Sequence, residues 1–280
     1  MRASAEATTD RIGIQDDDHW LACLPVAHIG GLSVITKALY TGTRLTVLPA
    51  FDADAAMASG ATLASLVPEM NVLELPFLFR SAQEADHVLD GVALAPLEKA
   101  LRSKGLVLGF WSENGYRSFG STFGFVKSPA DLKGRKMRTQ ENTVHIEMYK
   151  AFGASPVPIP TTEVLTSLQT GVIDGYDQTP LYASAAQWVS NTKYYTLTNH
   201  IYQPAAIVLN KGWYDALPAD LQKVILSTRA DLMVRMRKEI RALHPILVAN
   251  FASMKVQTYT PTATELATFE GPAKTARDAY

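Results

Sequence analysis

Between residues 131 and 180 the spacing of apolar and polar positions changes repeatedly, and each change is punctuated by a glycine, a proline or a capping residue. Ser128-Pro129-Ala130-Asp131 has the form of an N-cap, a proline at the first helical position and an acid in the first turn. Residues 135–139 then predict a short strand. Val144, Met148, Ala151 and Phe152 recur at helical spacing behind a cap at Asn142 or Thr143, and Gly153 closes that helix. Residues 157–160 are extended, because proline restricts both its own φ and the residue before it. A second helix is capped by Thr162, covers 163–170 and stops at Gly171; 172–176 is the next strand. The order βαβαβ predicts a parallel sheet with ligands outside its strand ends.

The remaining pattern extends this picture in both directions. Residues 1–18 form a poorly ordered lead. A strand at 20–27, a turn at 28–31, a helix at 32–40, a strand at 43–48, a short helix at 52–59 and a strand at 61–67 give a second βαβαβ series. The proline-interrupted apolar run at 71–80 is core packing. Ser81 caps a helix over 81–89, with Glu84 completing a capping box. A helix at 95–105, a strand at 106–111, a helix at 182–190 and strands at 194–197 and 200–209 follow, the last as a strand or a bent connection. Leu217-Pro218-Ala219-Asp220 opens a long helix to about residue 247, bent at Pro245.

Composition narrows the function classes. The chain has 280 residues, 47% of them hydrophobic and 19% charged, as in an ordinary globular protein. A net charge of -1 argues against nucleic acid or an anionic membrane surface as partner. No run of about 18 apolar residues exists to insert into a membrane. The single Cys23 excludes an internal disulfide and a cysteine-based metal cluster. The first twenty residues carry Asp16, Asp17 and Asp18 and no apolar stretch, so they are not a secretory signal. The expectation is that a signal was removed or that the chain stays in the cytoplasm.

Candidate chemistry is sparse. His19, His28, His87, His145, His200 and His244 show no metal-ligand spacing, and His145 reads as a satisfied structural histidine. No nucleophile elbow, phosphate loop or conspicuous carboxylate pair appears, so no catalytic machinery is argued. Arg138 ends the first strand of the 131–180 series. A guanidinium there is partly desolvated and offers a planar fork suited to a carboxylate; taken alone, an arginine is more often a structural salt bridge or a solvated residue, by roughly three to one.

The stretches KMRTQENTVHIEMYKAFGASPVPIPTTEVLTSLQTGVIDGYDQTP, VPEMNVLELPFLFRSAQEADHVLDG, GFWSENGYRSF and LTNHIYQPAAIVLNKGWYDALPADLQKVI together resemble the solute-binding proteins of TRAP transporters, the DctP-like family, from about residue 67 to the C-terminus. The resemblance implies an α/β, two-lobed, type II periplasmic-binding-protein fold with a ligand cleft between the lobes. It implies lobe I at 19–114 and 205–243 and lobe II at 115–204 and 244–280, with crossings near 114, 204 and 243. It implies a periplasmic monomer that captures a small organic acid for the TRAP permease membrane subunits, with no cofactor and no enzymatic activity. By the same resemblance Arg138 forms the salt bridge to the ligand carboxylate, and Arg117 of NGYRSF is the second ligand-facing arginine. Thr179 stands where the family often has asparagine, and Thr161 where some relatives carry an aromatic. Gln140, Asn142, Gln178 and Tyr202 are further pocket residues.

Residues 12–67, with LPVAHIGGL as the recognisable part, resemble a fragment of an acyl-CoA ligase of the o-succinylbenzoate-CoA type. That implies a chimera joined near 64–67. The competing readings are therefore a fragment of an adenylate-forming enzyme, lacking its phosphate loop, or a chimera with no binding activity.

Overall fold

The structure, a computed structural model, describes residues 19–22, 44–47 and 55–280. The chain divides into two units, Met1–Asp54 and Ala55–Tyr280. In the first, β1 (His19–Ala22) pairs in parallel with β2 (Arg44–Val47), His19 opposite Arg44. The lead expected at 1–18, the turn at 28–31 and the helix at 32–40 lie outside the described residues.

The second unit begins with β3 (Ala55–Ser59), the single helical turn α1 (Gly60–Leu63) and a 3₁₀ turn, Pro68–Glu74. This corrects the expected helix at 52–59 and strand at 61–67. Alanine-rich AAMAS favours a helix by propensity, yet β3 lies antiparallel to the strand Tyr194–Asn210, with Met57 opposite Ile207 and Ser59 opposite Ala205. Sheet pairing outweighs a weak local preference, and the period of so short a run does not separate helix from strand.

Helices α2 (Ala82–Asp90) and α3 (Leu94–Ser103) come next. Ser81 Oγ accepts the Glu84 N–H at 3.1 Å as expected of a cap, while the Glu84 carboxylate returns to the Arg80 N–H at 2.7 Å. The 16-residue β4 (Leu106–Ser121) runs well past the expected end at 111. Then follow β5 (Lys136–Thr139), α4 (Thr143–Ala151), β6 (Ser155–Pro158), α5 (Val164–Gln169), β7 (Gly175–Gln178) and α6 (Pro180–Ala185). This is the βαβαβ series read from the sequence, and β5 pairs in parallel with both β6 and β7.

One strand, β8 (Tyr194–Asn210), replaces the two strands expected at 194–197 and 200–209. Pro204 survives inside it because it sits at the Glu113/Gly115 register shift of β4, where a ladder bond is already interrupted. The sheet is consequently mixed, in the order β3-β8-β4-β7-β5-β6, with β9 (Gln257–Tyr259) parallel to β8. Helix α7 (Lys211–Ala216) precedes α8 (Ala219–Ser227) and α9 (Arg229–Phe251), which divide the expected long helix. The break is at Thr228, whose hydroxyl donates back to the Val224 and Ile225 carbonyls at 3.3 and 3.1 Å. Such back-bonding bends helices. Pro245 lies within α9 without ending it. Helices α10 (Ala263–Ala267) and α11 (Glu270–Asp278) close the chain.

Apolar side chains gather into separate cores. The first contains Val67, Met70, Leu73, Leu101, Trp111 and Val208; the second Phe119, Val126, Met137, Met148 and Phe269; the third Val164, Tyr176, Trp188, Tyr195 and Phe251. Burying each such side chain contributes about 1.5–3 kcal/mol. Strand β4 supplies Trp111 to the first core and Phe119 to the second, and β8 supplies Tyr202 to the first, Ile201 to the second and Tyr195 to the third. These two strands tie the cores together.

Close packing of β4 on β7 gives a first prediction. A Cβ on Gly120 would lie 2.5 Å from Tyr176 Cζ, and Tyr176 is fully buried with its hydroxyl 2.9 Å from Thr192 Oγ1. The ring has nowhere to retreat. Gly120→Ala is expected to lower stability by about 1–3 kcal/mol, read by thermal unfolding; an unchanged midpoint would show that the ring yields.

Candidate functional site

Arg138 is the third residue of β5, opposite Val157 of β6 and Tyr176 of β7, and is 1% exposed. Its Nε donates to the Ile159 carbonyl at 3.0 Å, and its Cζ lies 5.2 Å from the centre of the Trp188 ring. Nη1 is buried with no hydrogen-bond partner among the described residues. Burial, and after it the charge of Arg117, push the guanidinium down to about 10, so it remains a cation at neutral pH. The residue lines a cavity of about 260 Å³ with Ala61, Thr62, Ser65, Gln140, Glu141, Ile159, Pro160 and Thr161. Gln140 Oε1 is also buried and without a partner among the described residues. A desolvated cation and an amide facing one cavity form a receptor for an anionic oxygen ligand.

The other expected site residues are distributed differently. Arg117 does not line this cavity. Its Nε donates to Asp177 Oδ2 at 2.6 Å, Nη2 to the Asp177 carbonyl at 2.6 Å and Nη1 to Gln178 Oε1 at 3.4 Å. Burial alone would lower the Arg117 pKa; the carboxylate of Asp177 overrides that and raises it. Gln178 Oε1 also accepts the Thr179 N–H at 2.8 Å, and Thr179 caps α6 by accepting the Tyr182 N–H at 3.2 Å. Asn142 caps α4 through the His145 N–H at 3.2 Å and donates to Asn71 Oδ1 at 2.7 Å. Tyr202 packs in the first core, edge-on to Phe79 and Tyr116, and donates to Glu113 Oε2 at 2.8 Å. The structure thus brings Arg138, Gln140 and Thr161 to one cavity and places Arg117 and Gln178 in a polar network beneath the strand ends.

That network contains residues the sequence patterns did not single out as site residues. Asp177 accepts from Arg117, from the Tyr149 hydroxyl at 2.7 Å and from His200 Nε2 at 3.4 Å, and is fully buried. Burial opposes its charge, but Arg117 beside it, with the hydrogen bonds from His200 and Arg117, holds its carboxyl well below the usual range. Burial pushes the Tyr149 phenol well above its ordinary value and the His200 imidazole below its own. His200 stacks on Phe119 with centroids 4.3 Å apart. Glu74 and His145 form a second buried pair, Nε2 to Oε2 at 3.1 Å; His145 Nδ1 has no partner among the described residues, so the structural histidine expected from the sequence is only half satisfied. The available signal was an acid inside an apolar run, Glu74 in VLELPFLF, since acids are rarely buried unless paired.

A sequence profile of the bacterial extracellular solute-binding proteins, family 7, matches residues 27–279. The chain is 39% identical over 176 residues to the 2,3-diketo-L-gulonate-binding periplasmic protein YiaO of Escherichia coli (strain K12), covering 62% of this chain and 53% of that protein. It is 40% identical over 168 residues to a solute-binding protein of Verminephrobacter eiseniae (strain EF01-2), covering 60% and 50%. The chain spans about half the length of the curated relatives it matches. Among solved structures, a TRAP periplasmic solute-binding protein of Bordetella bronchispeptica, with density assigned to pantoate, superposes with a TM-score of 0.76 at 28% identity, covering 88% of this chain and 78% of that one. One from Polaromonas sp JS666 bound to D-erythronate gives 0.77 at 26%, covering 88% and 85%. The two-lobed α/β fold expected from the sequence is the fold of these proteins. The resemblance of 12–67 to an acyl-CoA ligase is not upheld: the family match starts at residue 27 and extends beyond 64–67, the supposed junction.

Proposed function

The chain belongs to the bacterial extracellular solute-binding proteins, family 7, and from that premise we propose that it captures a small organic acid in the cavity beside Arg138 and delivers it to a TRAP membrane permease. The observation that carries this reading is the buried Arg138 guanidinium on that cavity, its Nη1 unpartnered among the described residues. A buried cation calls for an anion, because leaving it unpaired is costly. A carboxylate accepting from Nη1, with the indole of Trp188 near the guanidinium, satisfies it. Gln140 and Thr161 supply the polar groups that select the rest of the molecule. Arg117, neutralised by Asp177, takes a supporting part: the pair fixes the end of the β7 strand behind the site.

In this reading the chain has two lobes, 19–114 with 205–243 and 115–204 with 244–280, and β4 and β8 carry the crossings near 114 and 204. The register shift at Glu113/Gly115 places an interruption in β4 between Trp111 and Phe119, where hinge bending needs little rearrangement of packed side chains. The work of the protein is binding, as in a periplasmic monomer that docks transiently on its permease; no helix among the described residues is long and apolar enough to cross a membrane.

A thermal-shift screen tests the reading. Pantoate, D-erythronate, 2,3-diketo-L-gulonate and succinate are the acids to try, with ATP and CoA as controls. One or more acids are expected to raise the midpoint; an acid at about 100 times its Kd adds about 2.7 kcal/mol. Stabilisation by ATP or CoA alone would overturn the proposal.

A further inference from the structure

Two short helical segments, one from each of two cores, meet beside the Arg138 cavity with matched spacing. The 3₁₀ turn Pro68–Glu74 sends Met70 and Leu73 into the first core, and α4 sends Met148 and Tyr149 into the second. Between the segments stand two polar pairs: Asn142 Nδ2 donates to Asn71 Oδ1 at 2.7 Å, and His145 Nε2 lies 3.1 Å from Glu74 Oε2. Residues three apart eclipse one another in a 3₁₀ helix, and residues three apart share a face at the start of an α-helix. Positions 71 and 74 therefore meet positions 142 and 145 as two parallel rungs.

The rungs stand next to residues that line the cavity, without lining it themselves. Gln140, which lines it, lies two residues before Asn142. A Cβ at Gly60 would come within 2.8 Å of Glu74 Oε1, so the carboxylate packs against the backbone next to Ala61 of the lining. Glu74 and His145 are both 0% exposed. Glu74 Oε1 and His145 Nδ1 lack partners among the described residues, and Oε2 gains only a long contact from Gln203 Nε2 at 3.4 Å. A buried pair so incompletely bonded adds little net stability, because desolvation offsets the attraction. What it does is discriminate between arrangements: separating the cores breaks both rungs together.

We propose that Asn71–Asn142 and Glu74–His145 are positioning pairs that hold the two cores closed over the Arg138 cavity and thereby set how long a bound acid is retained. Only the ligand arm of this inference rests on the acid-binding reading. Residues that govern closure act on escape more than on encounter, since association takes place in the open form and dissociation requires the rungs to part.

The test uses the full chain with Asn71→Ala, His145→Ala, both together, and His145→Gln, whose amide can still donate toward Glu74. Small-angle scattering of the unliganded proteins is expected to show a larger radius of gyration for the double variant than for wild type, with His145→Gln close to wild type. With D-erythronate, or whichever acid of the thermal screen binds, dissociation is expected to be about tenfold faster for His145→Ala while association stays within about twofold. Unchanged scattering together with unchanged dissociation overturns the inference. So does a loss of hydrogen-exchange protection over 155–178 in both single variants, which would make these residues structural. If no acid binds wild type, the acid-binding reading fails alone, and the scattering comparison, which needs no ligand, still decides this one.

Discussion

Arg138→Ala is expected to weaken acid binding by about 2–5 kcal/mol, the cost of removing one member of a buried charge pair and leaving the other. Isothermal titration of wild type and variant, with the acid that gives the largest thermal shift, measures it. Arg138→Lys should recover only part of the loss, because an ammonium does not reproduce the two parallel N–H donors of a guanidinium. The structure adds a second expectation, for the free protein. Nη1 is buried without a partner among the described residues, and burial and Arg117 both press against the charge. Removing that charge relieves a desolvated cation, so the thermal midpoint of unliganded Arg138→Met is expected to equal or exceed that of wild type. A site residue that stabilises the complex at the expense of the empty protein behaves in this way. Binding within about threefold of wild type, under 1 kcal/mol, would make Arg138 a structural residue and shift attention to Arg117.

The opposite split is expected at Asp177. It is the carboxylate that neutralises Arg117, and both are 0% exposed. Asp177→Ala strands a buried guanidinium and also frees the Tyr149 hydroxyl and the His200 ring. Breaking one side of such a buried pair costs about 3–5 kcal/mol, which in a chain of this size lowers the thermal midpoint by on the order of 10 °C. A midpoint within a degree or two of wild type would show that water reaches Arg117 when its partner is gone. The same geometry sets a pH dependence. The Asp177 pKa is depressed in the folded protein, so its contribution is complete above the unfolded value of about 4 and is lost as pH falls below it toward the folded value. His200 is depressed as well, by burial against the pull of Asp177. The folded state then binds fewer protons than the unfolded chain below about 6.5, so stability starts to decline there as pH falls. Urea unfolding of wild type between pH 7 and 3 is expected to show both declines, and a flat profile would contradict the assignment.

What the sequence determined by itself is local. The caps at Ser81 and Asn142, the proline-opened turn at Pro129 and the glycine stops at Gly134, Gly153 and Gly171 act over three or four residues, and neighbouring residues carry all the information they need; the cap expected at Thr162 does not form, and Val164–Gln169 has no side-chain cap. The order β5-α4-β6-α5-β7 follows from them, and with it the place of Arg138 at a strand end. Only the tertiary structure decided the rest. AAMAS is a strand because β8 lies alongside, and residues 194–210 are one strand because β4 pairs with it on both sides of the unpaired residues 197–200. Arg117 finds Asp177 60 positions away, and His145 finds Glu74 71 positions away. A buried charge takes whichever partner the sheet order sets against it. That choice is made when β7 docks on β4 and when α4 meets the 3₁₀ turn at 68–74, contacts that no local pattern specifies. The sequence therefore marked Arg138 as a candidate anchor, while the network that holds Arg117 on Asp177, and leaves the Arg138 Nη1 without a partner among the described residues, exists only in the folded chain.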